Sequence, residues 1–283
     1  MLFPGHLRKT TFRMIGSTTL NLKYNTLFIR IMKTNQLVKF LDKQLHIKEI
    51  EDYSLNGLQV QGSSETFKIG LAVDASLDAI QEAKKQQCQM LIVHHGLFWK
   101  DVLPITTALH KRIKILLNNN INLYAVHLPL DIDERFGNNI EISKKLNLTN
   151  LSRFGEDNGL MIGFAGFFDK EKTREELKSF CEDKLGPTKQ ECLFGKETIK
   201  RVGVISGKGT LSKPFLSEIS NKIDCLITGE FSYSDWVYAK DLGLNMLSFG
   251  HYSTEEYGLK GLMRFIEQSI DIRCEFIELD YPL

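Results

Sequence analysis

Nothing in the 283-residue chain approaches the roughly 18 consecutive apolar residues that a spanning helix requires, which excludes a helical membrane protein. Paired cysteines are missing too. Cys88, Cys181, Cys192, Cys225 and Cys274 are odd in number and scattered, with no Cys-x-x-Cys, so neither a disulfide framework nor a thiolate zinc site is indicated. They read as free buried thiols of a reducing compartment, which makes the expected location cytoplasmic. Net charge is nearly absent: 36 Lys+Arg against 35 Asp+Glu leave +1, and no electrostatic footprint for nucleic acid or anionic membrane. A Walker-type phosphate loop is lacking as well, since Gly207-Lys208-Gly209 is too short and reads as a turn.

Acidic residues are absent before Asp42, while Arg8, Lys9, Arg13, Lys23, Arg30 and Lys33 stand among several Ser and Thr. That is the composition of an organelle transit peptide, or of a leader ahead of a true start at Met32. Residues 1–31 are therefore left out of the fold, and an organelle is the alternative location. From Met32 on, Leu37, Phe40, Leu41 and Leu45 recur at the spacing of one helical face.

What is present is an internal repeat. Residues 68–96 (KIGLAVDASLDAIQEAKKQQCQMLIVHHG) and 201–230 (RVGVISGKGTLSKPFLSEISNKIDCLITGE) each open with a β-rich run and a turn, continue as a helix, and close in an apolar strand. Each is followed by another helix and a short strand, Leu123–Val126 in one and Met246–Phe249 in the other. Strand–helix–strand–helix–strand is the pattern of a parallel or mixed sheet flanked by helices. The expected architecture is α/β, in two similar halves at 32–150 and 151–283, with a strand–helix–strand insertion near 159–200.

The chemistry-bearing side chains fall at strand ends, where open α/β sheets bind ligands. His94 and His95 close LIV, His127 and Asp131 follow YAV, Glu230 closes LIT, and His251 and Glu255 follow LSF. A lone histidine at a strand end is usually a hydrogen-bonded structural residue. Here four of the seven histidines share strand ends that the repeat brings to one edge, whereas His6, His46 and His110 do not. His94 and His95 point to opposite faces of a strand unless it turns, which Gly96 allows. A helix starting at Ser253 brings His251 and Glu255 together near its first turn. Imidazole and carboxylate without thiolate suit zinc, iron, manganese, cobalt or nickel, and leave these undistinguished. Three histidines and two carboxylates exceed the needs of one catalytic zinc and fit two divalent metal cations about 3.5–4 Å apart, with Glu255 or Asp131 as bridge. His127 is expected to orient a ligand from behind. Glu230, Asn56 and Asp74 face the same edge as candidate acid–base or turn residues.

LNGLQVQG (55–62), LIVHHGLFWK (91–100), INLYAVHLPLDI (121–132), ITGE (227–230) and GHYSTEEYGLKGL (250–262) together resemble the motifs of the Nif-three-like dinuclear metal centre family, whose bacterial members are called GTP cyclohydrolase 1 type 2 homologues. The resemblance runs from Met32 to the C-terminus. It implies a metal cleft between two α/β lobes, a homo-oligomer (often a ring-like hexamer), and a metal ligand set of His94, His95, Asp131, His251 and Glu255. Tyr252 stands where many members have a second histidine. The expected function is a metal-dependent hydrolase acting on a small molecule of unassigned identity. A non-catalytic metal-binding scaffold or a protein-interaction module is the alternative.

Overall fold

The computed structural model describes residues 30–101, 103–279 and 281, so the basic leader lies outside the described residues except for Arg30 and Ile31. No described helix is long and apolar enough to cross a membrane.

The chain enters through β1 (Met32–Lys33) and α1 (Thr34–Gln44), whose Leu37 and Leu41, one turn apart, are wholly buried. The short strands β2 (Gly57–Val60) and β3 (Glu65–Thr66) follow, β3 pairing back on β1. Strand and helix then alternate as the repeat predicts: β4 (Lys68–Asp74), α2 (Leu77–Lys85), β5 (Met90–His95), α3 (Thr107–Asn118) and β6 (Asn122–Ala125). Here β4, β5 and β6 run parallel, and β2 lies antiparallel against β6. Ile69, Leu71, Val73, Met90, Ile92 and Tyr124 fill one face under α1. Ala72, Leu91, Val93, Leu123 and Ala125 fill the other under α2 and α3. Burial on both faces is why these strands read as unbroken apolar runs.

A one-turn helix, α4 (Leu128–Asp131), and α5 (Asn138–Lys145) lead to the second sheet. Its elements are β7 (Thr149–Asp157), β8 (Leu160–Thr173), α6 (Arg174–Leu185), β9 (Gln190–Leu193), β10 (Thr198–Lys208), α7 (Lys213–Ser220), β11 (Cys225–Glu230), α8 (Tyr233–Leu242) and β12 (Asn245–Ser248). The spatial order is β7-β8-β10-β11-β12-β9. Strands β10, β11 and β12 are parallel, and β9 lies antiparallel beside β12, as β2 does beside β6. The sequence repeat is thus a topological repeat: three parallel strands in chain order plus an antiparallel edge strand that precedes them. The strand–helix–strand segment near 159–200 is built into this sheet, with β8 against β10 and β9 closing the far edge.

Two last elements cross the division near residue 150. On α9 (His251–Ile270), Leu259, Leu262 and Ile266 pack into the first sheet's core while Tyr257 reaches the second's. β13 (Arg273–Phe276) then pairs parallel with β4. The halves 32–150 and 151–283 describe the repeat, whereas the packing returns the C-terminal strand to the first sheet. Each buried leucine on α9 contributes about 1.5–3 kcal/mol, which gives the chain reason to cross back.

Candidate metal centre

The end of β5, the one-turn α4 and the start of α9 meet between the two sheets. His94 is wholly buried, and its Nε2 lies 3.5 Å from Asp131 Oδ2 and 3.6 Å from Glu255 Oε1. His95 Nε2 is 3.3 Å from Glu255 Oε2. His251 Nε2 is 3.1 Å from Glu255 Oε1. One buried carboxylate therefore faces three imidazoles, with one oxygen toward His94 and His251 and the other toward His95. Helix α9 begins at His251, two residues before the expected Ser253, so the i, i+4 pair spans its first full turn. The neighbouring His94 and His95 rings, 4.8 Å apart, both reach the cluster at the strand's end.

Each of these rings is held from behind by an acceptor on Nδ1. His94 Nδ1 donates to Val126 O (2.9 Å), His95 Nδ1 to Asp74 (2.9 Å) and His251 Nδ1 to Glu230 (3.1 Å). A donor fixed at Nδ1 leaves Nε2 as the lone-pair nitrogen, which is how proteins present imidazole to a metal. Asp131 is oriented likewise: Asn138 Nδ2 and Ser206 Oγ both donate to its Oδ1, at 2.8 and 3.1 Å.

The electrostatics show how strongly this arrangement calls for positive charge. Burial alone would hold the His94 imidazolium below its usual range, but the Asp131 and Glu255 carboxylates overcome it and push the group up to about 10. His251, also opposed by burial, is raised to about 9 by Glu255 and Glu230. Burial opposes ionisation of Glu255 as well, yet the histidines around it hold its carboxyl well below the ordinary range. Meanwhile His94 Nε2 and Glu255 Oε2 are buried without a hydrogen-bond partner. Two orphaned ligand atoms in one buried cluster fit a cation, which would satisfy both.

The amino-acid sequence from residue 32 to 282 matches the DUF34/NIF3 (NGG1p interacting factor 3) family. The chain belongs to this family. It is 40% identical over 248 residues to the GTP cyclohydrolase 1 type 2 homolog of Pyrococcus abyssi, covering 87% of this chain and 98% of that protein. Among solved structures it is similar to protein ybgI, of unknown function, with a TM-score of 0.82 and 32% identity, covering 89% of this chain and all 100% of the other. It is also similar to TTHA1606 from Thermus thermophilus, with a TM-score of 0.80 and 31% identity, again covering 89% and 100%.

In this DUF34/NIF3 chain the site differs from the sequence expectation in the surrounding residues. Among the described residues His127 makes no hydrogen bond to any of the other five side chains, His94, His95, Asp131, His251 and Glu255. Instead its Nδ1 is held by Asp52 at 3.0 Å, and a ring nitrogen lies within 4.8 Å of those of His94 and His95. It stands with the cluster, and the backing role falls to Val126, Asp74 and Glu230. Asp74 and Glu230, expected as acid–base candidates, are the acceptors that position His95 and His251. Asn56 accepts from His127 N and donates to Asp52, so it is a loop organiser. Asp52 was not legible: Glu-Asp-Tyr-Ser carries no motif, and only the pairing of a loop acid with the H-L-P-L-D segment would have suggested it. Although burial raises its pKa, bonds from His127, Asn56 and Ser54 bring it down to about 2. Tyr252 turns away from the imidazoles, its hydroxyl accepting from Leu279 N at 3.0 Å.

Proposed function

We propose that the chain holds two divalent cations on His94, His95, Asp131, His251 and Glu255 and serves as a metal-dependent hydrolase of a small molecule. The observation that carries this reading is Glu255, a buried carboxylate whose two oxygens face different histidines. In that arrangement Glu255 would be the residue shared by both ions, its Oε1 beside His94 and His251 and its Oε2 beside His95, with Asp131 next to His94. A pair of divalent ions there supplies Lewis-acid polarisation of a substrate oxygen and acidifies a water. The chain's own residues hold the rings in one tautomer through Val126, Asp74 and Glu230, and fix Asp131 through Asn138 and Ser206. The nitrogen–oxygen donor set suits zinc, iron, manganese, cobalt or nickel.

One observation favours a non-catalytic metal scaffold. Asp52, Asp74, Asp131 and Glu230 each already engage a partner, so none of them is a free general acid or base. The experiment is a hydrolysis screen of metal-loaded protein against phosphoesters, nucleotides and cyclic amides. Turnover that vanishes in the His95→Ala/Glu255→Ala double variant supports the hydrolase, and a uniform blank supports the scaffold. A homohexamer is part of the same proposal, supported by the family resemblance and testable by analytical ultracentrifugation. A cytoplasmic location is supported by five buried free thiols.

A further inference from the structure

Beside His95, on the side away from Glu255, a cavity of about 270 Å³ opens between the start of α2 and the C-terminal segment. Its wall includes Asp74, Ser76, His95, Arg112 and Tyr281. Arg112, on α3, has a buried Nε with no hydrogen-bond partner, and no ion pair, hydrogen bond or ring contact joins its guanidinium to any described residue. Arg201, the other arginine with such an Nε, at least lies over the Phe167 ring. A forked cation left unsatisfied on a cavity wall is matched in shape and charge to an oxyanion.

Two features point the same way, and one opposes. Ser76 is the N-cap of the nine-residue α2, so the positive end of that helix borders the cavity. Tyr281 is set at the wall by Tyr252: their rings meet edge to face at 5.3 Å, and the Tyr252 hydroxyl holds Leu279 N. Asp74, a carboxylate on the same wall, counts against an anion, and the hydrogen bond its Oδ1 accepts from His95 Nδ1 offsets part of that charge.

We infer that this cavity is a subsite for an anionic group of the substrate, a phosphoryl or carboxylate, bound by Arg112 with help from the start of α2 and Tyr281. The inference rests on the metal-centre reading, because His95 is both a wall of the cavity and a ligand. An oxyanion on Arg112 sets the rest of the substrate against the His95–Glu255 edge. The substrate class is thus a small phosphorylated or carboxylated molecule.

The test is calorimetric titration of inorganic phosphate, and separately of acetate, into the full chain, with metal content fixed by elemental analysis. Wild type should bind one anion per chain. Arg112→Ala should bind at least about tenfold more weakly, the loss expected for one charged hydrogen bond, with unchanged metal content. Arg112→Lys should fall between, and Arg112→Gln serves if the alanine variant misfolds. Stronger phosphate binding assigns a phosphoryl group, stronger acetate binding a carboxylate. Wild-type affinity in all three variants, or no binding of either anion to wild type, overturns the inference. Wild type that elemental analysis finds metal-free even after incubation with divalent cations, with anion binding that still depends on Arg112, would sink the metal reading and leave the subsite standing.

Discussion

Gly207 shows how closely single atoms are set around Glu255. Its φ is +57°, and a Cβ built there would stand 2.2 Å from Glu255 Oε1. Gly207→Ala should therefore displace the carboxylate, cost about 1–3 kcal/mol and sharply lower bound metal, as read by elemental analysis. Gly159→Ala is the control: its φ of +82° imposes similar strain with nothing within 4 Å, so it should lose stability and keep its metal. A second prediction concerns protons. His94 and His251, raised to about 10 and 9, carry protons at pH 7 in metal-free protein and must lose them to bind a cation. Metal affinity should rise with pH until about 10, with proton release measurable by titration in buffers of different ionisation enthalpy. For the metal-free chain the sign is opposite. Groups raised above an unfolded value of 6.5 stabilise fully below that pH, and the contribution is lost as pH rises through about 9–10. At this scale the sequence named His94, His95, Asp131, His251 and Glu255 as candidates through strand-end placement and motif resemblance, and the structure brings them together. It could not show Asp52 or Arg112, because an acid in a loop and an arginine on a helix face acquire meaning only from what they face.

Among elements, α9 carries the most consequence, since it presents His251 and Glu255 at one end and leucines along its length. Leu262→Ala should cost about 2–5 kcal/mol in chemical denaturation, the range for a buried leucine. Tyr252→Phe removes one acceptor for Leu279 N, so it should cost about 1 kcal/mol and speed hydrogen exchange at that amide. The parallel strands were readable from their apolar runs, and the helices between them from turns and 3.6-residue spacing. The two-residue β1 and β3 and the pairing of β13 with β4 were not. A strand such as Arg-Cys-Glu-Phe has too little pattern to reveal its sheet, and its partner lies some two hundred residues earlier in the chain.

Over the whole molecule, the proposed metal centre is shared: His94, His95 and Asp131 come from the first half, His251 and Glu255 from the second. Asn139 ties the halves nearby, donating to Ile162 O at 2.7 Å and accepting from Ser206 N at 2.6 Å. Such a centre couples metal binding to global stability. Free metal at about 100 times its Kd should add about 2.7 kcal/mol, seen as a higher Tm that a chelator reverses. The repeat made the two sheets readable in advance, while α9 and β13 crossing between them required the packing to be seen. The central claim, two cations held by five named residues, is tested most directly by elemental analysis of purified wild type and the His95→Ala/Glu255→Ala variant. The account predicts about two divalent ions per chain in the first and none in the second; metal-free wild type, or a variant that keeps its metal, would contradict it.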